Sequence, residues 1–411
     1  MPTKVVHQNQ SLIMSKPVSV GSGVPKVDLC VVARCIGQWP EVWLWRQLVG
    51  FKQLKPCVLT WGYINREVYR LDNLPVQLLP FDPCAGEDSF RRWFRRARSL
   101  PVRNFYASVG AERRFIEKQL LETKPRVMLC HFGHTALRML PIAQKQHIPL
   151  VAHFHGLDLS SSLNNRWYRW SLLRALEHFS AIVVVGRHQE KWMIEHGARG
   201  ERVHLIPCGV PTQVFKHKAC QPSQGIQFIC VCRLVEGKGV EYCIRAFAHV
   251  VKEITDGNLL IVGDGPLRSD LEALRHELGL GECVTFIGPV CPDRVKDLLS
   301  GSDVFIQHSL VSSTGWVEGF GVSVAEAAAT GLPIVGTRCG GIVDQVIDGK
   351  TGFLVEQRDV DGMAEYMVKL GLEPDLRKKM GQAGRERMVA EFDTQKQIAK
   401  LESVLLDCCR E

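Results

Sequence analysis

At 411 residues the chain is too long for one comfortable hydrophobic core, so two domains are the first expectation. It is 45% hydrophobic, 23% charged and 8% aromatic, which argues against a disordered chain, a collagen-like fibre or a multi-span membrane protein. The net charge of +8 hides an asymmetry: residues 1–220 carry 31 Lys and Arg against 15 Asp and Glu, and the remainder carries 20 against 28, so the first half is expected to meet something anionic.

Met1–Lys26 has no long apolar core and reads as a flexible polar tail over 1–26. The fifteen Cys are odd in number and form no C-x-x-C; disulfides and a zinc ribbon are disfavoured, and a reducing cytosol is expected. From residue 27 onward short β-branched runs alternate with amphipathic stretches, the pattern of open parallel sheets. Strands are expected at Val27–Ala33, Val58–Thr60, Val127–Cys130, Leu150–Phe154 and Ala181–Val185. Helices fall between them at Trp43–Phe51, Ala111–Thr123, Ala136–Gln146, Arg166–Glu177 and His188–Glu195.

Gly197–Gln224 is rich in Gly, Pro and polar residues and marks the boundary between domains. The pattern then restarts, with strands at Gln227–Cys232, Leu259–Val262, Val284–Ile287, Val304–Gln307, Ile334–Thr337 and Gly352–Val355. The expected division is a first Rossmann-like domain over 27–210, a second over 222–385, and a C-terminal helix in 386–411 that packs back on the first. The fold class is therefore α/β, two doubly wound domains facing across a cleft, with ligands at the carboxyl ends of the strands.

Between the first strands, Ser89–Leu100 gathers Arg91, Arg92, Arg95, Arg96 and Arg98 around Phe90, Trp93 and Phe94 at helical spacing. Such a helix suits an anionic membrane surface, and equally suits packing by its aromatic face with the arginines in water. Nucleic acid is disfavoured because no aromatic RNA-binding motif accompanies it. The membrane reading has a direct test. Cosedimentation with liposomes should grow with anionic lipid, fall with salt, and drop when Arg91, Arg92, Arg95 and Arg96 become Gln; equal binding to neutral liposomes would reject it.

Four histidines, His131, His134, His153 and His155, lie at the ends of two expected strands. They raise the question of zinc, but no Asp, Glu or Cys keeps zinc-site spacing with them, so no metal is expected. His155 stands just before a glycine turn, where a side chain can project into a cleft. In the second half, Arg233-Leu-Val-Glu-Gly-Lys238 joins a strand to the helix from Val240. Cations there suit a diphosphate, and from spacing alone are equally compatible with solvated surface charge. Glu318-Gly-Phe-Gly-Val-Ser-Val-Ala-Glu326 places two acids eight residues apart, the first in a glycine-bearing turn and the second inside a helix packed among alanines. A buried Glu326 requires a partner. Gly263-Asp-Gly-Pro266 lacks the third glycine of a dinucleotide fingerprint, and Asp344 stands where a P-loop before Lys350-Thr351 needs glycine.

Taken together, the second half resembles the family-4 retaining glycosyltransferases of the GT-B fold. The resemblance rests on Arg233-Leu…Lys238-Gly, Leu260-Ile-Val-Gly-Asp-Gly-Pro266, Val284-Thr-Phe-Ile-Gly288, Glu318 through Pro333 and Gly340-Gly-Ile…Val355, in the family's order. In the first half, His131-Phe-Gly133, Phe154-His-Gly-Leu-Asp158 and, more loosely, Trp39-Pro-Glu-Val-Trp-Leu-Trp-Arg-Gln47 are similar to the exopolysaccharide branch of colanic-acid and amylovoran type.

The resemblance implies transfer of a hexose, with retention and without a metal or other cofactor, from a nucleotide-diphosphate sugar to a glycan or polyprenyl-diphosphate-linked acceptor. It implies that Arg233 and Lys238 hold the donor diphosphate and that Glu326 binds the ribose. Gly319, Phe320, Gly321 and Val322 would line the donor sugar, with His155 and Glu318 as the catalytic side chains. A cytoplasmic protein, peripheral at the inner face of the membrane, is the expected setting. Two departures stand out: Arg34-Cys-Ile-Gly-Gln-Trp39 replaces the family's Gly-Gly loop, and the bulky Trp316 precedes Glu318. The competing functions are a sugar-nucleotide epimerase or phosphorylase on the same fold and a non-catalytic nucleotide-sugar-binding protein.

Overall fold

The structure is a computed structural model that describes residues 27–79, 104–216 and 225–410. The expected tail over 1–26 and the arginine-rich segment with Arg91, Arg92, Trp93, Arg95 and Arg96 lie outside the described residues. The first half forms a seven-stranded sheet from β1 (Leu29–Ile36), β2 (Pro56–Tyr63), β3 (Val76–Leu78), β4 (Val127–His131), β5 (Leu150–His153), β6 (Ala181–Val184) and β7 (Val203–Leu205). Its order is β3-β2-β1-β4-β5-β6-β7, parallel throughout.

The second half forms a six-stranded parallel sheet from β8 (Gln227–Val231), β9 (Asn258–Val262), β10 (Val284–Gly288), β11 (Val304–Gln307), β12 (Ile334–Thr337) and β13 (Gly352–Val355), in the order β10-β9-β8-β11-β12-β13. The two sheets are Rossmann-like, as the alternating pattern implies. In each, the chain reverses direction across the sheet between the first strand and the fourth, β1 to β4 and β8 to β11. The loops leaving those strands open a crevice. Helices cover both faces, so central strands such as β4 are buried along their whole length.

Several boundaries differ from the sequence reading. Strand β1 begins at Leu29 and runs on to Ile36, and β5 ends at His153, leaving His155 in the turn rather than on the strand. The short strands β3 and β7 form the two edges of the first sheet and carry too few residues to show a period.

The last helix, Thr394–Cys408, lies against the first half: Leu401, Leu405 and Cys408 share a core with Leu29, Val31, Leu44 and Leu48. Its buried Glu402 accepts the amides of Lys52, Gln53 and Leu54 at 2.9, 2.8 and 3.1 Å. These amides follow directly on the helix Val42–Gly50, so the end of the chain pins the helix that faces the cleft.

Candidate functional site

On the second half the site begins where β8 ends. The strand hands over to Arg233, which is exposed, and then to a single turn Glu236–Lys238 before the helix Val240–Glu253. Lys238 Nζ donates to Glu318 Oε2, and the same oxygen accepts from Gln307 Nε2 at 3.2 Å. Gln307 is the last residue of β11 and is fixed by Ser309 Oγ at 2.8 Å and by Ser323 Oγ, which donates to its amide oxygen at 3.2 Å. Glu318 is thus held by groups from the ends of two strands. Trp316 lies over this loop: Lys238 Nζ is 5.3 Å from its ring centre, and a Cβ on Gly237 would come within 2.2 Å of a ring carbon. The bulky residue before Glu318 therefore covers the lysine turn.

On the first half, His155 is buried in the turn after β5. Its Nε2 lies 3.2 Å from His131 Nδ1, its ring stacks on Trp43 at 4.0 Å between centres, and Cys208 Sγ is 3.9 Å from its Nδ1. Asp158 sets the turn, accepting the amide of His155 at 2.9 Å and that of Gly133 at 3.0 Å. Burial pushes the Asp158 carboxyl up to about 6 although these amides favour the anion. Burial first, and then the neighbouring His153 and His131, hold the His155 ring well below its usual range, so it is neutral.

Parallel register places His131 beside His153. With His155 they form a buried group, among the described residues, whose donor atoms lie within 4.8 Å of one another, close enough to hold a metal. His134 stands apart, stacked on Tyr168 at 4.0 Å.

The two halves meet at this level. Gly156 and Gly319 are packed backbone to backbone: a Cβ on Gly319 would come within 2.8 Å of both the Cα and N of Gly156, so position 319 does not admit a side chain without a shift of the backbone. Phe320 is buried in the core beside Phe392. Gly321, at φ +86°, starts the helix Val322–Thr330, and the side-chain amide of Gln345 bonds the carbonyls of Phe320 and Gly321. That helix carries Glu326, and its partner comes from the other half: Arg46 Nη2 donates to Glu326 Oε1 at 2.9 Å, with both side chains about nine-tenths buried. Burial raises the Glu326 carboxyl above its ordinary value, and Arg46 pulls the other way.

The structure therefore brings Lys238, Glu318 and the Gly319 loop together with the turn that carries His155. Arg233 stands at the rim, and Glu326 one helix face away. A shielded cation–carboxylate pair thus lies beside the turn that carries His155, with the Gly156–Gly319 contact between them.

Comparison with known proteins agrees with this architecture. Residues 76–214 match the model described as Glycosyltransferase Family 4, and residues 213–387 match that of Glycosyl transferases group 1. The chain belongs to the family-4 glycosyltransferases of the GT-B fold. A GDP-mannose-dependent alpha-(1-6)-phosphatidylinositol monomannoside mannosyltransferase of Mycobacterium tuberculosis is 34% identical over 213 residues, 49% of this chain and 55% of that protein. An N-acetyl-alpha-D-glucosaminyl L-malate synthase of Bacillus anthracis is 34% identical over 49% of this chain and 50% of its own. The chain thus spans about half the length of these two relatives.

A putative colanic acid biosynthesis glycosyltransferase of Salmonella typhimurium is 26% identical over 68% of this chain and 70% of that one. In fold, the family-4 glycosyltransferase described here is similar to Anabaena Alr3699/HepE in complex with UDP, with a TM-score of 0.75 at 16% identity, covering 92% of this chain and all of that one. Among the described residues of the glycosyltransferase no helix is long and apolar enough to cross a membrane.

Arg46, Trp43 and Asp158 take part in the site although the sequence reading gave them no role. Asp158 had a signal, standing three residues after His155 where a carboxylate can cap the turn. Arg46 had none, because its partner is 280 residues away.

Proposed function

We propose that the protein is a retaining, metal-independent hexosyltransferase. It takes its sugar from a nucleotide-diphosphate donor and passes it to a glycan or polyprenyl-diphosphate-linked acceptor in exopolysaccharide or cell-surface polysaccharide synthesis. The observation that carries this reading is the Lys238–Glu318 pair held at the ends of β8 and β11 against the turn bearing His155. A donor diphosphate between Arg233 and Lys238 has its charge matched at the moment the sugar leaves, which is where preorganised cations lower a barrier most. Glu318 and the start of the helix Val322–Thr330 face the sugar hydroxyls, and the neutral His155 can both donate to and accept from them.

With retention, the leaving diphosphate oxygen takes the acceptor proton on the face it vacates. The acceptor enters from the first half, whose positive charge suits a lipid diphosphate at an anionic membrane surface. The nature of the relatives supports the same setting, since those in Salmonella typhimurium and Erwinia amylovora are named for colanic acid and amylovoran biosynthesis.

The test is incubation with a panel of nucleotide sugars. Release of free nucleoside diphosphate marks transfer or slow hydrolysis, an altered sugar marks epimerisation, and binding without turnover marks a non-catalytic module. Turnover should persist in excess EDTA, because Arg233 and Lys238 supply the positive charge that a divalent cation would bring; complete loss restored by one divalent ion would overturn the metal-independent mechanism.

A further inference from the structure

The register of β4 on β5 sets His131 and His153, the last residues of the two strands, side by side, and the turn after β5 brings His155 back to them. All three are buried, with exposures of 0%, 1% and 6%. The backbone of His155 is fixed on both sides: Asp158 accepts its amide at 2.9 Å, and the side-chain amide of Gln189 donates to its carbonyl. The indole of Trp43 closes the group, its centre 4.0, 5.4 and 6.4 Å from the ring centres of His155, His131 and His153.

Hydrogen bonding accounts for only part of this group. His131 Nδ1 lies 3.2 Å from His155 Nε2, and His155 Nδ1 has Cys208 Sγ at 3.9 Å. Among the described residues, Nε2 of His131 and both ring nitrogens of His153 have no partner. An imidazole carries at least one N–H, so His153 holds a buried donor with nothing to accept it. A hydrogen bond between His131 and His155 leaves that third ring out. A centre shared by all three does not.

The spacing suits a metal ion. Two imidazole nitrogens on one Zn2+ at about 2.0–2.1 Å and near-tetrahedral angles lie about 3.3 Å apart, and their ring centres about 5 Å apart. Here the His131 and His155 nitrogens are 3.2 Å apart, and the ring centres are separated by 5.5, 5.1 and 4.4 Å. The donor atoms of all three lie within 4.8 Å of one another, and the His153 ring can turn inward without breaking a hydrogen bond. Imidazole is a good ligand for Zn2+, and three protein nitrogens leave the fourth position to water. Cys208 meets His155 at its other nitrogen, which suits the tautomer whose free electron pair on Nε2 faces His131. Spacing along the sequence gave no sign of this set because its members come from two strand ends joined by register.

We infer that His131, His153 and His155 form a three-histidine zinc site, and that Zn2+ bound there inhibits the transferase by holding His155 away from the donor sugar. The site rests on the geometry of the three rings. The inhibition rests in addition on the proposed reading of His155 as a residue that meets the sugar. The ion binds and leaves unchanged, so the transfer itself stays metal-independent.

The experiment is equilibrium dialysis of the full chain, first freed of metal with EDTA, against Zn2+, with Co2+ as a spectroscopic probe. About one ion per chain should bind. Co2+ should show the visible absorption of a four-coordinate ion without the near-ultraviolet band of a thiolate ligand, which separates this site from any built on the fifteen Cys. His153→Phe removes both unpartnered nitrogens and keeps a ring. It should weaken binding by more than about tenfold, while its urea midpoint without metal holds or rises. His153→Leu repeats the test should the larger ring disturb the core. Release of nucleoside diphosphate from the donor should fall in the parent as Zn2+ fills the site, resume with EDTA, and resist the same Zn2+ in His153→Phe. Failure of the parent to bind either ion, equal binding by both His153 variants, or a thiolate band would overturn the site. Binding that leaves turnover unchanged, or inhibition undiminished in His153→Phe, would overturn the inhibition. A parent with no turnover on any nucleotide sugar would reject the transferase reading, and the inhibition with it, while the dialysis still decides the site.

Discussion

Lys238→Ala is expected to weaken binding of the donor and of its free nucleoside diphosphate alike. A hydrogen bond to a charged group contributes about 1.5–3 kcal/mol, so the loss should be roughly tenfold to a hundredfold. The side chain also neutralises Glu318, whose carboxylate is about nine-tenths buried and would keep only the Gln307 amide at 3.2 Å. The variant should therefore lose folding stability as well, because a buried charge is left with one neutral donor. Lys238→Arg is not expected to restore affinity: the planar fork has to fit between Trp316 and Glu318, where the lysine presents a compact point charge. Arg233→Ala separates the two effects. Arg233 is exposed, so its removal should reduce diphosphate affinity with little change in the urea midpoint. Unchanged diphosphate affinity in both variants, measured by calorimetry, would remove both residues from the donor site.

The sheet strands were legible because strands buried on both faces need continuous β-branched and apolar runs, and β4, β8 and β11 have them. Their carboxyl ends could be located from the same runs, and with them Arg233, Lys238 and the approach to Glu318. What sequence spacing does not see is a contact made only when two domains close. Glu326 could be read as a buried acid needing a partner, but nothing local names Arg46. The same blindness applies to Trp316, whose ring rests on Gly237 in the lysine turn, about eighty residues away in sequence. The histidine group was half visible. Two of its members follow from the register of β4 on β5, and the third from β5 ending one residue early, so that His155 turns back towards them.

The helix Val42–Gly50 links these observations. It belongs to the first half by sequence, yet its outward side chains reach His155 and the acid of the second half, and its end is held by the last helix of the chain. Tied to three separate parts of the chain, the helix is a fixed element between the two halves. In the loop Arg34–Trp39 that precedes it, Gly37, at φ +85°, lies so near the Ile64 carbonyl that a Cβ would come within 1.9 Å of it. One glycine carries that close approach.

The largest combined effect is expected from Glu326→Ala. Breaking a buried ion pair by deleting one partner costs about 3–5 kcal/mol because the remaining charge is stranded, and here Arg46 is stranded with Nη1 already lacking a hydrogen-bond partner. Urea unfolding should report that loss. Deleting both residues, as Arg46→Ala with Glu326→Ala, removes the stranded charge, and the double variant should recover part of the stability. If Glu326 also accepts from the ribose hydroxyls, as the resemblance implies, nucleotide recognition should not recover with stability. The parent should bind a 2′,3′-dideoxy nucleotide more weakly than the ordinary one, and in both variants that difference should vanish. If the dideoxy nucleotide lost as much affinity in the variants as in the parent, Glu326 would be a structural anchor for Arg46 and the ribose would be held elsewhere. Recovery of stability without recovery of ribose discrimination is the outcome that assigns both tasks to the same carboxylate.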